Sequence, residues 1–390
     1  MKKFICKCML FGAILLSLLG GIVSFILYGL PEQFNGTYQH ALYLQVRSLA
    51  RIRSPKIVVM GDSSVPFSLE CGKMSRLMKE PVQTLGIHSG TGIQYILDLS
   101  KSSIRRGDTM VLELTPDAED SFSPSIVLTA CENHFDMYRS FTLDDWEKVI
   151  RYYPTYLTKK VKYYFHVRDS EAPSYSITSF DRNGNYDYRR VGCQLPMHLQ
   201  ASERDTVFNK EAYSDSMISF LNGYDRFCAE KGATFLITFP PFLDESLASK
   251  SNSLNDVQSY LAKRLKAPII TKISSRDLPR RYFYNNETHC NTIGAEKVTQ
   301  DLAEEILAYR RHFGFGKGKL GRNRNASQPS FKNQTSGLLS LGRASQQLGT
   351  KMKQGGKPVG ELKRHPAANA LPKNRQNAGT GLSHKSAPRL

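Results

Sequence analysis

The segment KIVVMGDSS (56–64) carries an apolar run straight into Gly-Asp-Ser-Ser. Such a run reads as a short buried strand, and the glycine after it permits a sharp turn. A serine just past that turn can present its hydroxyl and its backbone N–H together, which is what a nucleophile in acyl transfer requires. Ser63 is the candidate and Ser64 the alternative; the competing structural role is a turn that caps the next helix. Acyl transfer also needs a base. FYNNETHCNTIGAEKVTQDL (283–302) puts His289 in a polar loop before the last helix, which Asn291 or Thr292 can cap. A histidine so placed can titrate and reach a neighbouring strand end. His88, in HSGTG, is the fallback base.

Strands and helices must bring these residues together. Short apolar runs at 56–60, 82–87, 110–114 and 234–239 predict four strands, and 268–271 a short fifth. Helical patterns at 93–104, 214–231, 257–265 and 291–310 lie between and after them. This alternation predicts a parallel sheet covered by helices on both faces, with sites at the carboxyl ends of its strands. GDSS, HSGTG and Thr115-Pro116-Asp117 follow the first three strands, so three loops converge there. The stretch 118–210 interrupts the rhythm as an aromatic insert holding Trp146, the single tryptophan. Within it, 152–168 is expected to form a helical cap or substrate lid, and FDRNGNYDY (180–188) a hairpin or loop.

The chain opens on 22 uncharged residues, 9–30, enough to cross ~30 Å of hydrocarbon. Tyr28-Gly29-Leu30-Pro31 is a poor cleavage site, so an uncleaved anchor is expected rather than a signal peptide. Lys2, Lys3 and Lys7 precede the span, which places the N-terminus in the cytoplasm and the rest outside, as a single-pass cell-membrane protein. A helical linker is expected over 31–54. Cys71, Cys131, Cys193, Cys228 and Cys290 then lie outside, scattered without metal-like spacing, and most are expected to be buried free thiols. No motif calls for a metal or a cofactor.

The formal charge of +18 is concentrated at one end. Residues 311–390 hold 16 of the 53 basic side chains and one of the 35 acidic ones, Glu361, for +15, while 1–310 carry only +3. From 314 onward the composition predicts a disordered basic tail. Its charge suits contact with a polyanion such as anionic lipid, an acidic wall polymer or nucleic acid.

GDSS at 61–64, LGIHSGTG at 85–92, TFLITFPPF at 234–242 and THCNTIGAEK at 288–297 together resemble the SGNH (GDSL-like) hydrolase superfamily. The likeness is to its membrane-anchored extracytoplasmic branch, the alginate O-acetylation and D-alanyl-lipoteichoic acid biosynthesis proteins. It covers roughly 55–310 and implies a flavodoxin-like three-layer α/β fold. It also implies Ser63 as nucleophile, His289 as base, and the Ser63 N–H with Gly86, or less directly Gly90, as oxyanion donors. The position three before the histidine, normally aspartate, is Asn286, with Asn285 before it; Glu287 is the nearby carboxylate. The asparagine normally found in the third block is replaced by Thr115-Pro116-Asp117. The resemblance therefore implies an O-acyltransferase or esterase acting on an envelope polysaccharide or teichoic-type polymer, beside a multispanning acyl-exporting partner. The alternative it leaves is a degenerate member that binds glycan or a partner.

Overall fold

The computed structural model describes residues 1–53, 55–115, 122–167, 172–195, 210–244 and 251–313, the last without the side chains of 251–253. The basic tail from 314, and Pro116 and Asp117 of the third strand-end loop, lie outside the described residues.

Helix α1 (Lys2–Ser24) continues through a π turn, Phe25–Gly29. Together they form one apolar helix, Lys2–Gly29, long enough to cross a membrane and exposed along its length. Helix α2 (His40–Arg51) follows. Then come β1 (Ile57–Met60), α3 (Ser64–Ser68), α4 (Cys71–Met78) and β2 (Val82–Leu85). Next are α5 (Ile93–Ser100), β3 (Thr109–Glu113), α6 (Pro124–Cys131) and α7 (Leu143–Tyr164). Helix α8 (Asp215–Glu230) leads into β4 (Thr234–Thr238) and β5 (Phe242–Leu243). The described chain closes with α9 (Ser251–Arg264), β6 (Asp277–Leu278), β7 (Phe283–Asn286), β8 (His289–Cys290) and α10 (Thr292–His312).

The main sheet is parallel, in the order β2-β1-β3-β4. Alternate residues of its strands feed two cores. Val58, Met60, Met110 and Leu112 face α2, α5 and α8, whereas Ile57, Val59, Val111 and Leu236 face α4 and α10. Both faces are thus apolar and covered, as buried parallel strands require. The expected fifth strand is reduced to one parallel bridge, Ile237 to Ile269, held by hydrogen bonds to the carbonyls of Pro268 and Ile237. Proline at its first position has no N–H to extend the ladder.

The segment 31–54 is not a linker. Phe34, Ala41, Leu42 and Leu49 of this segment are in the core. The root of this apolar helix is clamped by Glu132, a residue held at φ +37°. Its carboxylate accepts from the N–H groups of Gln33 (2.6 Å) and Phe34 (3.1 Å) and pairs with Lys160 of α7 at 3.3 Å. Lys160 also donates to the Leu27 carbonyl at 3.3 Å. A buried charge pair of this kind persists only with such additional partners.

The insert divides between two tasks. Helix α7, begun by a Thr142–Asp145 capping box, buries Val149, Tyr156 and Tyr163 against the core. The helix expected over 152–168 is thus present in its described part, packed on the core. Residues 180–188 form the expected turn, closed by the Phe180–Tyr186 bridge and docked on β2 through Asn185, whose Oδ1 accepts from Thr84 N at 3.1 Å. Among the described residues every cysteine is a free thiol, and burial pushes Cys71, Cys131, Cys228 and Cys290 up to about 12.

Candidate active site

Ser63 sits at the carboxyl end of β1, half-buried, at the start of α3. The turn before it is fixed by Asp62, whose Oδ1 accepts from Ser64 N at 2.7 Å. The two serines then part. Ser64 is fully buried and donates its hydroxyl to Glu113 Oε2 at 2.9 Å. Ser63 directs its Oγ to His289, 2.9 Å from Nε2. Ser64 is therefore closed off from solvent, whereas Ser63 is only half-buried, with an imidazole nitrogen at its Oγ.

His289 arrives from the other end of the chain on the two-residue strand β8, directly before the N-cap of α10. The cap is Asn291, whose side chain accepts from Gly294 N at 3.0 Å. The β7–β8 hairpin turns through Asn286-Glu287-Thr288. Phe67 of α3 stacks on the imidazole at 4.1 Å between ring centroids and 9° between planes. Only 5% of His289 is exposed.

The second ring nitrogen, Nδ1, is 3.1 Å from Asn285 Oδ1 and 3.4 Å from the Tyr175 hydroxyl. Asn285 Nδ2 in turn donates to that hydroxyl at 3.1 Å. An amide oxygen only accepts, so Nδ1 carries the hydrogen and Nε2 keeps the lone pair that faces Ser63. The orienting residue is thus Asn285, not Asn286. Asn286 is exposed and closes the hairpin, its Oδ1 accepting from Thr288 N (3.0 Å) and Oγ1 (3.1 Å). Glu287 lends its backbone carbonyl to Leu243 N, and its carboxylate is not among the groups that shift His289. Burial, then the nearby Arg190 and His88, push the His289 imidazole down to about 3. The imidazole is held neutral, and both burial and the Arg190 guanidinium oppose its protonation.

Both glycines expected in the oxyanion hole are committed elsewhere. Gly86 donates its N–H to Gln45 Oε1 at 2.9 Å, while Gln45 Nε2 donates to the carbonyls of Gly86 (3.2 Å) and Gly184 (2.9 Å). Gly86 still has to be glycine. Its φ is +154°, and a Cβ there would lie 2.1 Å from the Gly61 carbonyl oxygen, which brings the ends of β1 and β2 together. Gly90 donates to His88 Nδ1 at 2.8 Å. That bond occupies the His88 lone pair, so His88 is a donor through Nε2 and not an alternative base. Burial lowers its pKa, against a smaller opposing effect of Asp62. Of the expected oxyanion donors, the N–H of Ser63 makes no hydrogen bond among the described residues.

Three site residues were not legible in the sequence. Asn285 and Asn286 are adjacent, and local sequence does not say which of them faces the histidine. Gln45 lay in a segment expected to be a linker. Glu113, at the end of β3, is fully buried beside Ser64, and burial raises its carboxyl to about 7. An acid inside the otherwise apolar run MVLEL (110–114) is the available signal for it. Among the described residues no three His, Cys, Asp or Glu side chains gather as a metal-ligating set.

A scan against protein-family models finds none that matches this chain, and a search of curated proteins finds no matching relative.

Proposed function

We propose that this protein is a membrane-anchored serine acyl-transfer enzyme, an O-acyltransferase or esterase of the SGNH type. The observation that carries the proposal is the 2.9 Å contact between Ser63 Oγ and His289 Nε2 at the carboxyl end of a parallel sheet. The strand order, with the Ile237–Ile269 bridge at its edge, suits the flavodoxin-like winding such enzymes use.

The chemistry follows from the site. Ser63 Oγ attacks the acyl carbon of an ester donor while its proton passes to His289 Nε2. The Ser63 N–H faces the developing oxyanion. Collapse breaks the donor C–O bond, and His289 returns the proton to the leaving alcohol. An acceptor hydroxyl then gives its proton to His289 and takes the acyl group, the Ser63 Oγ–acyl bond breaks, and His289 returns the proton to Ser63 Oγ; with water in place of the acceptor the outcome is hydrolysis. The acceptor class is a polysaccharide or teichoic-type polymer of the cell envelope, with an acyl donor delivered by a multispanning exporter. The domain lies outside the cell, anchored by Lys2–Gly29. The clamp of Glu132 and Lys160 on residues 27–34 supports an anchor that stays attached.

The test is labelling of the full chain in detergent with a fluorophosphonate, and turnover of a chromogenic acetyl ester, beside Ser63→Ala and His289→Ala. Labelling of the wild type that both variants lose supports the proposal; a wild type that neither labels nor turns over overturns it. One set of observations favours a second reading, a non-catalytic member that binds glycan or a partner: His289 is backed by an amide rather than a carboxylate, and Gly86 and Gly90 are both engaged.

A further inference from the structure

We propose that the exposed apolar face of α7 lies in the lipid interface of the membrane that α1 enters, so that two elements, not one, hold the domain against the bilayer. The inference rests on the anchored reading above and adds a second contact surface to it. Leu143, Trp146 and Ile150 occupy positions i, i+3 and i+7 of α7 and therefore share a face. They are 90%, 39% and 69% exposed, whereas Val149, Tyr156 and Tyr163 bury the other side of the same helix. A helix packed on a soluble domain ordinarily exposes its polar face, and a large apolar stripe marks an interaction surface.

Continuity with the membrane helix identifies the occupant. Tyr28, at the end of that helix, has its ring 5.8 Å from Phe135, itself 55% exposed. Phe135 lies 5.9 Å from Tyr138, and Tyr138 lies 6.1 Å from Trp146. An unbroken line of aromatic rings runs from the membrane exit to the α7 stripe. Tyrosine and tryptophan are the residues that settle at headgroup level. The exit is not a loose tether, because Lys160 of α7 holds the Leu27 carbonyl and Glu132 holds Gln33 and Phe34. The acids beside the stripe are matched by bases: Asp144 pairs with Lys148 at 2.8 Å and Glu147 with Arg151 at 2.6 Å. The face therefore presents apolar surface and paired charge to the headgroups, as an interfacial amphipathic helix does.

Trp146 is the only tryptophan, so its emission reports this face alone. The full chain is reconstituted into phosphatidylcholine vesicles with and without bromine on the upper acyl carbons, and flotation is run in parallel. Brominated lipid is expected to quench Trp146 by about twofold or more, with iodide quenching reduced relative to detergent. Leu143→Glu and Ile150→Glu, both at exposed positions, are expected to reverse both effects while the protein still floats. Flotation without bromolipid quenching overturns the inference and leaves the anchor standing. Failure to float overturns the anchor and the inference with it. Shielding of Trp146 that appears only when extracted membrane proteins are co-reconstituted makes the face a protein interface and overturns the lipid assignment.

Discussion

Asn285 Oδ1 stands 3.1 Å from His289 Nδ1, so the histidine that faces Ser63 is oriented by a neutral amide. Orientation and charge stabilisation, which one aspartate would provide together, are separated here. The amide sets the tautomer, but no carboxylate that raises the His289 pKa is found among the described residues to offset an imidazolium there. Arg190 and His88 also oppose protonation, so an enzyme of the proposed kind is expected to turn over slowly.

Restoring a carboxylate should therefore accelerate it. Asn285→Asp places an opposite charge against Nδ1 and is expected to raise the His289 pKa by roughly 1–3 units and the ester turnover by about tenfold or more. Asn285→Ala is expected to lower turnover by about tenfold or more. Asn286→Ala should leave it within about twofold, since that side chain only closes the hairpin, at a stability cost of about 1 kcal/mol. Steady-state kinetics on the three variants check the ranking; equal losses at 285 and 286 would refute it.

The two serines of GDSS should separate cleanly. Ser63→Ala is expected to abolish fluorophosphonate labelling. Ser64→Ala should keep the label but lower stability by about 1–3 kcal/mol, because it leaves the buried Glu113 carboxyl without its hydroxyl partner. Labelling and urea unfolding of both variants decide the matter, and a label that survives in Ser63→Ala would move the nucleophile.

The pH profile should lack the usual histidine limb. His289 is neutral down to about 3 in the folded protein, so kcat/KM should show no decline attributable to it as pH falls through 6.5. The same shift acts on stability. Between 6.5 and about 3 the unfolded chain binds a proton at this position and the folded chain does not, so its contribution to stability falls as pH falls across that window. A sigmoidal loss of kcat/KM near pH 6.5 that His88→Gln does not remove would count against the neutral, buried base.

Glu113 should act in the opposite sense. Its carboxyl is raised from 4.5 to about 7 by burial, so the folded state holds the proton more tightly. Stability from this group is then present below 4.5 and lost as pH rises to about 7. Glu113→Gln keeps an acceptor for Ser64 without the ionisation and is expected to stabilise the protein by ~2–3 kcal/mol at pH 8 relative to its effect at pH 4.5. Thermal melts at the two pH values measure it, and a pH-independent effect would show that Glu113 does not titrate in the fold.

Local patterns in the sequence determine a good deal of this protein. Apolar runs at strand length locate four parallel strands, and a 22-residue uncharged stretch marks an apolar helix long enough to cross a membrane. GDSS after the first strand and a histidine before the last helix single out Ser63 and His289, since turn chemistry and helix capping are written in neighbouring residues. The partners of those two residues are another matter. Ser63 and His289 meet across 226 positions, Gln45 takes the Gly86 N–H from 41 positions away, and Glu113 takes Ser64 from 49. Which of two adjacent asparagines faces a ring depends on a hairpin's pleat. That the Gly86 N–H is taken depends on a helix, α2, that composition alone reads as a linker. Long-range packing decides both, because a buried polar group binds whichever partner the fold brings within reach.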